Sequence, residues 1–223
     1  MQPPGSGSVV GREVKALSPA QARALLHAAR GARNEALYVL ALHTGLRQGE
    51  LLGLRWTDVA LSGETGRLSV RRSLKKVEGG LAFGPPKNAA SRRGVPLNRT
   101  ASSALRDHRR RQNEERLRAP GEAWGDHDLV FPNRAGHPTD HNNLYRREYL
   151  PLLERAGLAG EGFTFHTLRH TFATALLARK EHPKRVQALL GHSSIVQTMD
   201  TYSHLLEDIG GDAVDGLEDA FGG

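Results

Sequence analysis

The chain has 223 residues, which is enough for one large domain or two small ones whose core needs no disulfide. It contains no cysteine, which excludes disulfides, thiolate metal sites and a cysteine nucleophile and fits a cytoplasmic location. Lysine and arginine total 31 against 24 acidic residues, and the sequence pI is near 10.1, which indicates a polyanionic partner such as nucleic acid. No apolar run approaches the length of a membrane span, so no membrane partner is expected.

The first part of the chain predicts a linker followed by helices. Residues 1–15 are rich in proline, glycine and serine, which is typical of a linker or a trimmed edge. In "SPAQARALLHAARG" the pair Ser18 and Gln21 can form a capping box, and Gly31 can end the helix. "NEALYVLALHTG" and "RQGELLGLRW" predict two further aliphatic helices, separated by a break at Gly45.

Residues 67–97 have a different character, and helix returns after them. "RLSVRRSL", "GLAF" and "RGVPL" are short, β-prone and separated by turn sequences, so they predict a small antiparallel sheet. "RTASSALRDHRRRQNEERLRA" predicts a charged helix with a solvated face, and "DHNNLYRREYLPLLERAGL" a further amphipathic helix. The expected fold class is therefore mainly α with a small antiparallel β-sheet.

Polar side chains cluster in "HTLRHTFATALLA". If this stretch is helical, His166, Arg169 and His170 lie on one side, away from the apolar stripe. "HPKRVQALLG" predicts a short helix that stops at Gly191 and leaves His192 in the following turn.

Other polar residues carry weak signals when each is considered alone. In "SSIVQTMDTYSHLL" helical periodicity makes Tyr202 a core tyrosine. Arg47 and Glu50 are one helical turn apart, and this spacing by itself predicts an exposed ion pair. Such a pair stabilises a helix by about 0.3 kcal/mol. Lys87 has the sequence context of an ordinary turn lysine.

Together these pieces resemble the catalytic domain of the tyrosine recombinases, the phage-integrase family. The matching motifs are "TGLRQGELLGLRW", "PKNAASRRGVPL", "HTLRHTFAT", "LLGHSS" and "TMDTYSH", in family order, and the resemblance covers about residues 16–207. It implies the family's fold and a site-specific DNA recombinase activity. The catalytic positions implied by the resemblance are Arg47, Lys87, His166, Arg169, His192 and Tyr202. Glu50 and His170 fall on supporting positions.

The chemistry implied by the resemblance is DNA strand cleavage and rejoining. Arginine forks would stabilise the negative charge that develops on the phosphate, and Tyr202 would attack to form a 3′-phosphotyrosyl ester. His166 and His192 would add hydrogen bonds, one of them assisting removal of the tyrosyl proton, and Lys87 would protonate the leaving 5′ oxygen. No nucleotide cofactor, metal or small-molecule substrate is expected. The expected partners are duplex DNA and copies of the chain in a tetrameric synapse.

Two alternatives compete with this interpretation. His166, His170 and His192 could bind zinc, but there is no HExxH motif and Arg169 would place a positive charge beside the ion. The chain could also be a DNA-binding remnant of an integrase that does not cleave, because the family's N-terminal clamp domain has no counterpart in these residues. A second departure from the family is "RKEHPKRV", where a glycine-containing turn is common.

The C-terminal residues 208–223 predict an acidic tail helix. Gly210 and Gly211 break the preceding helix, and apolar residues at helical spacing follow among acids. Related recombinases are similar in passing a C-terminal segment to a neighbouring subunit, and this resemblance implies that the tail docks in the same way. The alternative is that the tail packs on its own domain or frays as an acidic segment. The expected organisation is thus a linker at 1–15, a recombinase catalytic domain at 16–207 and the tail at 208–223.

Overall fold

Helices dominate the described part of the fold, in which five short strands form the sheets. A computed structural model describes residues 15–86, 89–119 and 124–202 of the chain. The predicted fold class, mainly α with a small antiparallel β-sheet, is confirmed. The predictions for residues 1–14, Lys87 and the tail at 208–223 lie outside the described residues.

The first three helices follow the capping signals in the sequence. Helix α1 spans Pro19–Ala28, and its capping box is formed by Ser18 and Gln21 as predicted. Helix α2 spans Glu35–Thr44, and helix α3 spans Gln48–Leu52. Seven of the ten residues of α2 are buried, because α2 packs between other helices at the centre of the fold.

The β region contains two separate antiparallel sheets. Strands β1 (Val59–Ser62), β2 (Thr65–Val70) and β5 (Arg93–Leu97) form a three-stranded sheet in the order β1-β2-β5. Strands β3 (Ser73–Val77) and β4 (Gly80–Gly84) form a hairpin of their own. The sequence interpretation missed β1 and treated "RLSVRRSL" as one piece, whereas the chain leaves the first sheet after Val70 and enters the hairpin at Ser73.

Helix α4 spans Arg99–Arg118. Its N-cap is Asn98, whose side chain accepts a hydrogen bond from the backbone N–H of Ala101. Its charged face is exposed, in agreement with the sequence. Its inner face also buries polar side chains: His108 contacts the Val130 carbonyl at 2.6 Å, and Gln112 donates to the Leu129 carbonyl at 3.0 Å. These bonds satisfy the backbone of the loop that follows α4.

The amphipathic stretch after this loop is one helical run with an irregular centre. Helix α5 (His141–Leu144) continues through a π-helical turn, Tyr145–Tyr149, into helix α6 (Leu150–Arg155). Pro151 lacks a backbone N–H and cannot form the usual hydrogen bond to the preceding turn. Next to this proline, the N–H of Leu150 donates to the carbonyl of Tyr145, five residues earlier, which is the π-helical pattern.

Three helices near the end of the described residues build the second part of the core. Helix α7 spans Phe165–Ala178, α8 spans Pro183–Leu190 and α9 spans Ile195–Tyr202. The main hydrophobic cluster joins α1, α2, the sheets and the first half of α7. The small hydrophobic cluster consists of Phe172, Ala173, Leu177, Val186, Leu190 and Tyr202. No helix in the described ranges is both long and apolar enough to cross a bilayer.

Candidate active site

Arg47 and Glu50 lie at the N-terminus of α3, Arg47 at the N-cap and Glu50 in the first turn. The Arg47 backbone N–H donates to Glu50 Oε2, and the Arg47 guanidinium donates to Glu50 Oε1, both at 3.0 Å. The sequence predicted an exposed ion pair, and that prediction is wrong because Glu50 is only 3% exposed. A buried carboxylate needs more than one partner to offset its desolvation, and here the second partner comes from the sheet.

That second partner is Arg93 on β5, which the sequence analysis did not identify. Its guanidinium contacts the Glu50 carboxylate at 3.1 and 3.3 Å, and its Nε donates to the Leu189 carbonyl in α8 at 2.6 Å. Arg93 therefore connects β5, α3 and α8 around Glu50. Burial alone would raise the pKa of Glu50, but the charges and hydrogen bonds of Arg93 and Arg47 hold it below its ordinary value.

Arg169 is buried in α7 and reaches two helix ends. Its NH1 donates to the Gly45 carbonyl after α2 at 2.6 Å, and its NH2 donates to the Leu190 carbonyl at the end of α8 at 2.8 Å. A cation is favoured at such C-termini by the helix dipole. Burial and the charge of Arg47 lower the pKa of Arg169 to about 9, so the guanidinium is still protonated at neutral pH.

Two glycines allow these helix ends to come so close. Gly45 has a φ of +62°, and a Cβ there would lie 2.4 Å from the Phe172 ring and 2.9 Å from Leu190. Gly191 has a φ of +65°, and a Cβ there would lie 2.8 Å from the Arg93 guanidinium. Any larger residue at either position would push α2 or α8 away from the arginines.

His192 follows Gly191 and is nearly buried. Its Nδ1 lies 2.9 Å from the Thr198 hydroxyl of α9, and its backbone carbonyl accepts a hydrogen bond from the Gln187 side chain. Burial lowers the pKa of His192 to about 3, with further contributions from the positive charges of Arg169, Arg47 and Arg93. The ring is therefore neutral at physiological pH.

His166, His170 and Tyr202 form a separate corner of the site, which we call the histidine–tyrosine corner. The Tyr202 hydroxyl lies 2.8 Å from Nδ1 of His170, and the His166 ring packs edge-on against the His170 ring at a centroid distance of 4.6 Å. His166 is exposed, His170 is half-buried and Tyr202 is 1% exposed. The prediction of a core tyrosine is thus confirmed, and the same residue faces the predicted catalytic groups.

Burial sets the protonation state of this corner as well. It lowers the pKa of His170 to about 4, with help from His166 and Arg169, and raises that of Tyr202 to about 12, which Arg169 partly opposes. Partial desolvation and the charges of Arg169 and Arg47 also lower the pKa of His166. At neutral pH the corner therefore holds neutral imidazoles beside a protonated phenol.

Seven predicted residues thus converge on one face of the fold, from positions as far apart as α3 and α9. They are Arg47, Glu50, His166, Arg169, His170, His192 and Tyr202. Within the described ranges, no three His, Asp or Glu side chains are grouped as metal ligands would be. The histidines instead contact Tyr202, Thr198 and each other.

Comparison with known proteins gives a consistent result. A sequence profile described as the Phage integrase family matches residues 15–208. The "Tyrosine recombinase XerC-like" protein of Caldanaerobacter subterraneus subsp. tengcongensis is 37% identical over 220 residues, which cover 94% of this chain and 55% of that protein. An integrase of Streptomyces ambofaciens is 35% identical over 199 residues, which cover 86% of this chain and 50% of that protein. The chain spans about half the length of these curated relatives.

Solved structures show the same fold. The crystal structure of the XerA recombinase superposes with a TM-score of 0.67 at 25% identity, covering 93% of this chain and 65% of that chain. The Tn1549 transposon integrase, solved in complex with circular intermediate DNA, superposes with a TM-score of 0.68 at 26% identity, covering 85% and 63%. The similarity therefore includes helices and sheets on both sides of the candidate site.

Proposed function

This chain belongs to the phage integrase family, and from that premise we propose that it is a site-specific DNA recombinase that cleaves and rejoins strands through a 3′-phosphotyrosyl intermediate. The observation that carries the proposal is the convergence of Arg47, Arg169 and His192 with Tyr202 at one face of the fold. A domain that only binds DNA has no need of a buried phenol beside a set of anchored cations. The non-cleaving remnant is for this reason the less favoured alternative.

The arginines supply electrostatic stabilisation. Attack on a phosphodiester passes through a phosphorane-like state with extra negative charge on the nonbridging oxygens, and fixed donors aimed at them lower its energy. Arg47 is partly exposed and can meet a phosphate directly, while Glu50 and Arg93 hold its position. Arg169 is fixed by two backbone carbonyls, so it does not have to reorganise during the reaction.

The covalent step uses Tyr202 as nucleophile. Its O–H bond breaks and the proton passes to an imidazole of the site as its oxygen bonds to phosphorus. The bond to the 5′ oxygen breaks, and the Lys87 ammonium gives that oxygen a proton. His166 and His192 donate hydrogen bonds to phosphate oxygens. The phosphotyrosyl ester conserves the energy of the broken bond, so a second 5′ hydroxyl can reseal the strand without a nucleotide cofactor. The arginines take the electrostatic role that metal ions have in many nucleases.

The proposed partners are duplex DNA and further copies of the chain. A net charge of +7 favours a polyanion, and one solved relative is an integrase on circular intermediate DNA. Exchange between two duplexes needs four such sites, so we propose a tetrameric synapse. Within it, residues 16–207 act as the catalytic domain, and the acidic tail at 208–223 docks on a neighbouring subunit.

Covalent trapping tests this proposal. The chain is incubated with a pool of nicked suicide duplexes of random sequence, in which cleavage releases a short fragment and prevents resealing. Protein–DNA adducts that survive denaturation are recovered and sequenced, and one recovered duplex then serves as substrate. Tyr202→Phe should form no adduct while binding that duplex normally, and a chelator should have no effect. Adducts that persist in Tyr202→Phe would refute the assignment of the nucleophile.

A further inference from the structure

Within the part of the chain that the structure describes, the hydroxyl of Tyr202 has one hydrogen-bond partner, and this partner is not one of the two histidines expected to assist it. Nδ1 of His170 lies 2.8 Å from the hydroxyl oxygen. Among the described residues, Nδ1 of His192 contacts the Thr198 hydroxyl instead, and His166 contacts the ring of His170. The contact to the proposed nucleophile therefore belongs to His170.

The direction of this hydrogen bond follows from the protonation states. A phenol with a pKa of about 12 keeps its proton at neutral pH, and an imidazole with a pKa of about 4 does not take up a second one. The Tyr202 O–H therefore donates, and Nδ1 of His170 accepts through its lone pair. The single proton of the imidazole is then on Nε2.

Resting on the proposed recombinase function, we propose that His170 is the general base of the reaction, accepting the Tyr202 proton at Nδ1 as the tyrosyl oxygen attacks the phosphate. In this step the O–H bond of Tyr202 breaks and the oxygen–phosphorus bond forms. The bond from phosphorus to the 5′ oxygen breaks, and Lys87 protonates that oxygen. When a 5′ hydroxyl later attacks the phosphotyrosyl ester, it gives its proton to the Lys87 amine as its oxygen bonds to phosphorus. The bond from phosphorus to the Tyr202 oxygen breaks, and the His170 imidazolium returns the proton to that oxygen.

The timing of the transfer explains how a weakly basic imidazole can serve. Before attack, the proton stays on the phenol because the phenolate would be a much stronger base than the imidazole. As the oxygen bonds to phosphorus, its basicity falls toward that of an aryl ester oxygen. The negative phosphate of bound DNA simultaneously favours the imidazolium, in opposition to Arg169. Transfer then coincides with bond formation and requires no free phenolate.

The fold supports this role by holding both residues on packed helices. His170 directly follows Arg169 on α7, so the same helix carries a proton acceptor and a charge-stabilising donor. Tyr202 lies on α9, and its ring is part of the small hydrophobic cluster. The ring contact from His166 restricts the orientation of the His170 imidazole.

Substitution of His170 by asparagine gives a sharp test. The Oδ1 atom of asparagine can occupy the place of Nδ1 and accept the hydrogen bond, but an amide oxygen cannot act as a base at neutral pH. We expect His170→Asn to lower the single-turnover rate of adduct formation on the recovered duplex by about 10²-fold or more, with unchanged DNA affinity. His27→Asn, an exposed change on α1, is the matched control and should be without effect.

Other results would overturn the inference in recognisable ways. A faster His170→Asn would show that His170 is a latch that restrains the tyrosine, and an unchanged rate would show that the contact is only structural. If the wild-type chain forms adducts and His170→Asn forms them equally well, this inference fails and the recombinase proposal stands. If the wild-type chain forms none, the recombinase proposal itself fails.

A modified leaving group separates the base from the acid. In a duplex whose scissile 5′ oxygen is replaced by sulfur, the leaving thiolate needs no proton. We expect this substrate to rescue Lys87→Ala but not His170→Asn. Replacing Tyr202 by a fluorinated, more acidic tyrosine should rescue His170→Asn but not Lys87→Ala. We expect the rate difference between wild type and His170→Asn to become smaller by roughly tenfold or more. Rescue of His170→Asn by the sulfur substrate would overturn the assignment.

A measurement on the unmodified protein does not depend on how any variant folds. Nitrogen NMR of the histidine-labelled chain distinguishes an imidazole nitrogen that carries a proton from one that accepts a hydrogen bond. We expect Nδ1 of His170 to be the unprotonated, accepting nitrogen at neutral pH, and to change its shift in Tyr202→Phe. A protonated Nδ1 that donates to Tyr202 would exclude the proposed role.

Discussion

The site contains two regions that are built in different ways, the histidine–tyrosine corner and an arginine network of Arg47, Glu50, Arg93 and Arg169. In the network, Arg93 and Arg169 bond to four backbone carbonyls, and Glu50 bridges two guanidiniums. In the corner, one hydrogen bond and a few ring contacts connect neutral side chains. Arg93 and Arg169, whose charge must remain fixed, are hydrogen-bonded to backbone carbonyls. Tyr202 and His170, which exchange a proton in the proposed reaction, share a hydrogen bond that can break.

The same contrast extends to the core. Arg169 joins the two parts of the fold, because the Gly45 carbonyl ends a helix of the main cluster and the Leu190 carbonyl ends a helix of the small cluster. We therefore expect substitutions in the arginine network to affect both the free energy of unfolding and cleavage. Substitutions in the corner should affect cleavage far more than stability.

The largest change in stability is expected for Arg93→Met. It removes two hydrogen bonds to a buried carboxylate and leaves Glu50 with Arg47 alone, and breaking a buried ion pair in this way costs about 3–5 kcal/mol. Chemical denaturation should show this loss. Restoring packing with the double variant Arg93→Met and Glu50→Leu should recover much of the stability but not the cleavage, because Arg47 would still lack its support. Full stability of Arg93→Met alone would contradict the role given to this network.

Arg93 also shows what the sequence could not reveal. Capping boxes, glycine stops and helical spacing predicted the helices and placed His166, Arg169 and His170 on one side of α7, because these signals are local. The contacts of Arg93 depend on β5 lying beside α3 and α8, which no local pattern encodes. The burial of Glu50 was missed for the same reason, since an i,i+3 pair has the same spacing whether it is exposed or enclosed.

Acid should destabilise the folded state through the histidines. His192 has a folded pKa of about 3 against an ordinary value of 6.5, so the unfolded state binds its proton first as the pH falls. The stability that depends on neutral His192 is fully present above pH 6.5 and is lost progressively as the pH falls toward 3. Each pH unit in this window removes at most about 1.4 kcal/mol. His192→Asn, which keeps an acceptor near Thr198, should flatten the pH dependence of unfolding. An unchanged slope would contradict this assignment.

Arg169→Lys is expected to have an intermediate effect on stability and a large one on cleavage. A lysine has one nitrogen in place of the two separate nitrogens with which Arg169 reaches the Gly45 and Leu190 carbonyls. We expect it to leave one of these buried acceptors unsatisfied, which costs about 1–3 kcal/mol. Loss of the planar fork should lower the rate of adduct formation by about 10²-fold or more. Both quantities are measurable on the same sample. A variant that is destabilised but cleaves normally would show that Arg169 only joins the two clusters.

Tyr202→Phe should change stability by about 1 kcal/mol or less, although it removes cleavage completely. The ring still fills the small hydrophobic cluster, and only the hydrogen bond to His170 is lost. Because His170 is half-buried, water can replace the hydroxyl as its partner. Thermal unfolding of the two proteins side by side tests this expectation. A loss of several kcal/mol would show that Tyr202 stabilises the fold as strongly as the residues of the arginine network do.

The smallest effect is expected outside both regions, at the turn between α7 and α8 where the family commonly has a glycine. Lys180 there has a φ of +60°, a left-handed conformation that costs a residue with a side chain about 1–2 kcal/mol. Its backbone N–H donates to the Leu177 carbonyl at 2.8 Å, so the turn itself closes as a glycine turn would. Lys180→Gly relieves the strain but makes the unfolded chain more flexible, which offsets about 0.4–1 kcal/mol of the gain. From the middle of each range we expect a net stabilisation of about 0.8 kcal/mol, with no change in adduct formation. A clear loss of cleavage in Lys180→Gly would mean that the turn takes part in the reaction. The site would then extend beyond the arginine network and the histidine–tyrosine corner.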